Sequence, residues 1–116
     1  MKTVISIDHY FSASHRVALD PKYSEEHWHR FKFTPWVEGA LRMPGWVMDF
    51  DALRGLCREL LPDGVALDEQ LEDDNATAEK VLLWALLRLE GMVPSGVTVV
   101  GGEIEEDDGN RVKIVL

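Results

Sequence analysis

From His27 to Leu41 the side chains follow a period of two, with His27, His29, Phe31 and Phe33 on one face and Trp28, Arg30 and Lys32 on the other. A run of this kind commits the chain to a long strand in a sheet that is covered on one side. Pro35 has no N–H to give to a ladder, so it marks an edge position or a bulge within that strand. The same alternation sets two imidazoles side by side, because residues i and i+2 project from one face.

A third imidazole, His15, closes the segment Phe11-Ser12-Ala13-Ser14-His15. Three neutral nitrogens with a fourth position left open form the pattern of a catalytic rather than a structural zinc site. The spacing alone carries little information, since exposed histidines two apart on a strand need no metal. The neighbouring sequence has to decide.

Thr3 to Tyr10 also alternates and reads as a strand, and Asp20 to Glu26 is a polar connection leading to His27. A helix is expected from about Asp51 to Leu61, stopped by Pro62-Asp63-Gly64. A second helix runs from about Thr77 to Glu90, with Asn75 as its N-cap and Gly91 as its stop. Two β segments follow, Gly96 to Ile104 and Arg111 to Leu116, joined by the hairpin signal Asp107-Asp108-Gly109-Asn110. The order strand, strand, helix, helix, strand, strand predicts an α+β domain, a four-stranded antiparallel sheet with two helices on one face. One domain covers residues 1–116, a length that suits a single core. Four strands leave open edges, so a homo-oligomer is expected.

The net charge of −9 argues against a nucleic-acid partner, which would need clustered Lys and Arg. Through Pro44 six basic residues face five acidic ones, whereas the remainder carries six against sixteen, so the histidine-bearing half is nearly neutral and tolerates an anionic small molecule. The acidic groups Asp68-Glu69, Glu72-Asp73-Asp74 and Glu105-Glu106-Asp107-Asp108 read as solvated loops. No apolar run approaches the ~20 residues of a membrane span, and no leader pattern opens the chain, which makes the cytoplasm the expected address. Cys57, the only cysteine, shares a helical face with Leu53 and Leu60 and reads as a packed thiol.

Beyond the histidines, Gly45-Trp46-Val47-Met48-Asp49-Phe50, Leu67-Asp68 and Asn75-Ala76-Thr77-Ala78-Glu79 stand in order along the chain. With Phe-x-Ala-x-His and His-x-His, this series resembles the 6-pyruvoyl-tetrahydropterin synthase and 6-carboxy-tetrahydropterin synthase family from Ile5 to about Val100. The resemblance implies a T-fold whose protomers join sheets into a trimeric barrel, two trimers often stacking into a hexamer, with active sites between protomers. It also implies that His15, His27 and His29 hold zinc (Zn2+), and that the ligand is a pterin.

The departures from the family's pattern concern proton transfer. The position of the family's basic cysteine, four residues before the first histidine of the pair, is Tyr23, and its Asp-His pair becomes Asp63-Gly64. Trp28 replaces the glycine between the paired histidines. Tyr23, with an ordinary pKa of ~10, needs a larger shift than a thiol to act as a base, and Glu25 is the alternative. For the pterin, the family's pattern points to Thr77 and Glu79 and to a glutamate at the end of the third strand, for which Glu103 is best placed and Glu105 second. A carboxylate suits that edge because it accepts two hydrogen bonds. The expected function is therefore a zinc-dependent lyase acting on a dihydropterin such as 7,8-dihydroneopterin triphosphate. The alternative is a non-catalytic pterin- or purine-binding module that kept the metal and lost the proton relay. An assembly protein with structural zinc is disfavoured, since a closed site would normally have four protein ligands.

Overall fold

The computed structural model of the chain describes residues 1–107 and 109–116. The strands are β1 (Thr3–Ser6), β2 (His9–His15), β3 (His27–Gly39), β4 (Val65–Ala66), β5 (Thr98–Glu106) and β6 (Asn110–Val115). The helices are α1 (Phe50–Leu60), α2 (Leu67–Leu71) and α3 (Ala78–Glu90). They form one sheet in the order β4-β2-β3-β5-β6, with β1 pairing β3 beside β2. All of these pairs are antiparallel except the two-residue β2–β4 pairing.

This is the expected α+β arrangement with two corrections of count. The sheet has six strands rather than four among the described residues, and the short α2 joins the two expected helices. The predicted hairpin joins β5 and β6, pairing Glu106 with Asn110, and of its four signal residues Asp108 lies outside the described residues.

The extra strand at the N-terminus has a physical origin in β3. Ser6 pairs with Trp36 and His9 with Phe33, so β1 and β2 keep one continuous register against β3. The interruption at Ile7–Asp8 lies opposite Thr34–Pro35, where the proline has no N–H to complete a ladder. The Thr34 hydroxyl instead donates to the Asp8 carboxylate at 2.7 Å. A bulge follows on β5, where Trp36 faces Gly101 and Val37 faces Val99. Pro35 therefore sits beside a bulge, in the middle of the sheet rather than at its edge.

One face of this sheet builds the core. Phe11, Phe31, Phe33, Val37 and Ile104 project inward and meet Leu53, Cys57 and Leu60 of α1 and Leu82, Ala85, Leu86 and Leu89 of α3. Each large side chain of this set stabilises the fold by about 1.5–3 kcal/mol through burial. Gly102 lets α3 approach β5 closely: a Cβ there would come within 2.9 Å of both the Leu86 side chain and the Thr34 carbonyl. Burial pushes the Cys57 thiol up to about 12, so it packs as a small apolar group.

Both long helices begin on side-chain caps. Asp49 accepts the Asp51 N–H at the start of α1, and Thr77 accepts the Lys80 N–H at the start of α3. Asn75 is not the cap of α3, because its side-chain oxygen is committed to the Leu19 N–H at 2.9 Å. That bond is one of several that fasten the β2–β3 connection to the segment before α3, together with Ala18 N–H to the Asp74 carbonyl and Ala76 N–H to the Arg16 carbonyl. Among the described residues, no helix is long and apolar enough to cross a membrane.

Candidate metal centre

The β2–β3 register sets His15 directly opposite His27. His29 lies two residues further along β3 on the same face, so the three rings converge beyond the rim of the core, with those of His15 and His29 edge-on to Phe31. Their centroids are 4.5 Å apart for His15–His27, 5.1 Å for His15–His29 and 4.8 Å for His27–His29. One nitrogen from each lies within 4.8 Å of the others, close enough for a single ion.

The other nitrogen of each ring is already held. His15 Nδ1 donates to the Ala76 carbonyl at 2.7 Å and His27 Nδ1 to the Glu25 carbonyl at 2.9 Å. His29 Nδ1 bonds the Asp107 carboxylate. A carbonyl oxygen only accepts, so in neutral His15 and His27 the proton sits on Nδ1 and the lone pair of Nε2 faces inward, and the Asp107 carboxylate favours the same tautomer of a neutral His29. This arrangement, with the outer nitrogen fixed by an acceptor, is what orients histidines around a metal. His15 Nε2 is buried without a hydrogen-bond partner, an orphan that a metal ion would satisfy. The donor set and its orientation therefore fit a metal.

The electrostatics agree. Burial lowers the pKa of His15, partly opposed by its bond to the Ala76 carbonyl, so its neutral, ligating form is favoured. Asp107 adopts a left-handed conformation with φ of 53°. Burial works against its charge, yet the His29 bond and the Arg30 N–H, 3.1 Å from its second oxygen, together hold its carboxyl below the usual range.

A cleft of about 410 Å³ opens over the three rings, and Tyr23, Thr77, Glu79 and Glu106 contribute to its walls. The structure thus brings Tyr23, Thr77 and Glu79 together with the histidines, the Tyr23 ring lying 5.9 Å from that of His27. Glu25 is exposed and serves the site through its backbone carbonyl. Asp63 is not brought to the histidines within one protomer. Its carboxylate accepts the Ser12 N–H at 2.7 Å and lines a different cleft, with His9 and Arg54.

Glu103 requires a correction. Ile104 is fully buried in the core, so Glu103 and Glu105 must project from the opposite face of β5, where both approach Arg111 and Glu105 also pairs with Lys32. Glu106 is the strand-end glutamate on the histidine side: its Oε1 lies 3.2 Å from His29 Nε2 and its Oε2 3.9 Å from His15 Nε2. Glu105, Glu106 and Asp107 are accordingly not a solvated loop. The parity of β5, read two residues onward from Ile104, is the signal that singles out Glu106.

Against this geometry, the family described as 6-pyruvoyl tetrahydropterin synthase matches residues 4–115. The chain belongs to that family. A protein of Archaeoglobus fulgidus, provisionally named a 6-carboxy-5,6,7,8-tetrahydropterin synthase, is 34% identical over 71 residues, which span 60% of this chain and 62% of that relative. The match thus covers less than two thirds of the relative's length.

Solved structures of tetrahydropterin synthases share the fold. The 6-pyruvoyl tetrahydropterin synthase of Caenorhabditis elegans superposes with a TM-score of 0.79 at 20% identity, over 100% of this chain and 96% of that one. A Plasmodium vivax 6-pyruvoyltetrahydropterin synthase, in which a glutamate described as catalytic is replaced by alanine, gives 0.74 at 13% identity, over 98% and 97% of the two chains. The T-fold of the tetrahydropterin synthases is therefore the fold of this chain.

Proposed function

We propose that this protein is a zinc-dependent lyase of the tetrahydropterin-synthase type that acts on a dihydropterin such as 7,8-dihydroneopterin triphosphate. The observation that carries the reading is the convergence of three Nε2 lone pairs, one of them buried and partnerless, at the floor of a cleft. His15, His27 and His29 would hold the zinc, which supplies polarisation of the substrate's side-chain oxygens and acidifies the adjacent C–H.

The chain's own groups do the rest. The Thr77 hydroxyl accepts the Lys80 N–H and keeps its proton to donate to the pterin. Glu79 and Glu106, rather than Glu103, are the carboxylates in the cleft that can accept the guanidine-like edge. Tyr23, whose ring lies 5.9 Å from that of His27, is the candidate base in the cleft, with Glu25, two residues before His27, as the alternative. Asp63 joins them only if a second copy presents it. The reading therefore includes a homo-oligomer, a trimer or hexamer, that completes each site between protomers. The open outer edge of β6, with Val115 and Leu116 exposed, supports such joining of sheets.

Zinc-loaded protein incubated with 7,8-dihydroneopterin triphosphate should yield a pterin product by mass spectrometry, and a His29→Ala control should not. Tyr23 and Gly64, where the family's pattern has Cys and His, favour a second reading: a pterin- or purine-binding module without turnover. Micromolar pterin binding with no product would select that module, and light scattering that finds only monomer would remove the shared site.

A further inference from the structure

Two consecutive carboxylates bracket one imidazole: Asp107 takes the Nδ1 side of His29, and Glu106 places Oε1 3.2 Å from its Nε2. With the proton on Nδ1, Nε2 presents a lone pair to an anionic oxygen. The second oxygen of Glu106 stands 3.9 Å from His15 Nε2, whose own proton is likewise on the outer nitrogen. Facing lone pairs at this distance repel one another unless a cation, either a proton or a metal ion, lies between them. Four ligands ~2.0–2.1 Å from a tetrahedral zinc are separated by ~3.3 Å, close to the 3.2 Å Glu106–His29 spacing and shorter than the 3.9 Å to His15, which a bound ion would draw in.

We propose that Glu106 is a fourth, displaceable metal ligand that closes the open coordination position until substrate oxygens replace it. The proposal rests on the metal reading above and adds to it a resting state with a protein oxygen in place of water. Pairing with both Phe31 and Asn110 fixes β5 at this point, so any adjustment toward an ion falls to the side-chain torsions of Glu106. The side chain is 21% exposed, so it can swing away from the rings toward the cleft. Once displaced, the same carboxylate is free to accept hydrogen bonds from the pterin. One residue thereby couples ligand entry to metal exposure.

The test uses the full chain loaded with cobalt or zinc. The visible absorption of the cobalt-loaded protein should change in Glu106→Gln and Glu106→Ala, and zinc affinity from chelator competition should fall at least about 10-fold. Glu59→Gln, on the exposed side of α1, should leave both unchanged. Adding 7,8-dihydroneopterin should alter the wild-type cobalt spectrum, with less change in Glu106→Gln, where the position is already vacated. Matching circular dichroism and melting of the metal-free proteins ensures that the loss reports coordination rather than folding. A cobalt spectrum and zinc affinity in Glu106→Gln equal to wild type would overturn the proposal. A Glu106-dependent cobalt spectrum in a protein that turns over no pterin would uphold it while sinking the enzymatic reading, and a wild-type protein that binds no metal would end both.

Discussion

Strand β2 carries a buried histidine at each end, and the two have opposite uses. His9 and His15 stand six residues apart on one face, each fastening the sheet to the main chain beside a helix by a 2.7 Å bond. His9 spends its outer nitrogen, Nε2, on the Leu61 carbonyl just past α1, and its ring stacks on Phe11 at 5.4 Å. His15 spends Nδ1 on Ala76 before α3 and leaves Nε2 aimed at two more imidazoles. Burial lowers the pKa of both. What separates a structural pin from a candidate metal ligand is therefore which nitrogen remains, and what stands across the strand from it.

The sharpest way to break this contrast is to delete each ring. His15→Ala should weaken zinc binding by about 100-fold, the loss of ~3 kcal/mol expected when one ligand leaves a site worth 10–16 kcal/mol, whereas His9→Ala should leave chelator-measured affinity unchanged. Equal losses in the two variants would erase the distinction. On stability the two should be alike: His9→Ala strands the Leu61 carbonyl, His15→Ala strands the Ala76 carbonyl, and each opens a cavity, costing about 2–3 kcal/mol in urea unfolding of the metal-free protein.

A milder perturbation asks whether the outer nitrogen matters to ligation. Asp107→Asn keeps the shape but removes the charge that anchors His29, so zinc affinity should drop about 10-fold with no change in melting temperature. Thr77→Ala removes the hydroxyl that caps α3 beside the site, and should cost about 1 kcal/mol in chemical denaturation.

The smallest effect concerns pH. His9 has a folded pKa below its unfolded value of 6.5, so the unfolded chain binds the extra proton first. Stability of the metal-free protein should be full above pH 6.5 and decline as the pH falls below it, and His9→Gln should flatten that slope. An unfolding midpoint that rises on acidification would contradict the assignment of a buried neutral ring.

Much of this site was legible because its parts obey local periods. The alternation of β3 set His27 and His29 on one face, and the spaced motifs from Phe11 to Glu79 led to the T-fold and to His15. The long helices followed from apolar spacing and their stop signals. What escaped depends on distant partners. Asn75 has every property of a cap, but a loop half the chain away claims its side chain. The split between β1 and β2 arises from a proline on the neighbouring strand. Counting from a motif points to Glu103 with Glu105 second, whereas the pleat assigns faces by parity from Ile104 and puts Glu106 on the histidine side, and only the folded sheet shows which parity is inward. Asp63 fits the family's spacing yet lies in another cleft of the same protomer, because spacing along a chain does not say which copy completes a site.

The pairing of His15 with His27 closes the β2–β3 hairpin at its loop end. All three imidazoles thus come from a segment of low contact order, while Ala76 and Asp107, which fix two of them, lie 61 and 78 residues away from the rings they hold. Local pairings form sooner than remote ones. The ligand trio is then expected to assemble in a nascent hairpin, before the groups that orient it arrive. An ion captured at that stage would act on the order of folding itself, biasing the register of β2 on β3 before the helices have docked.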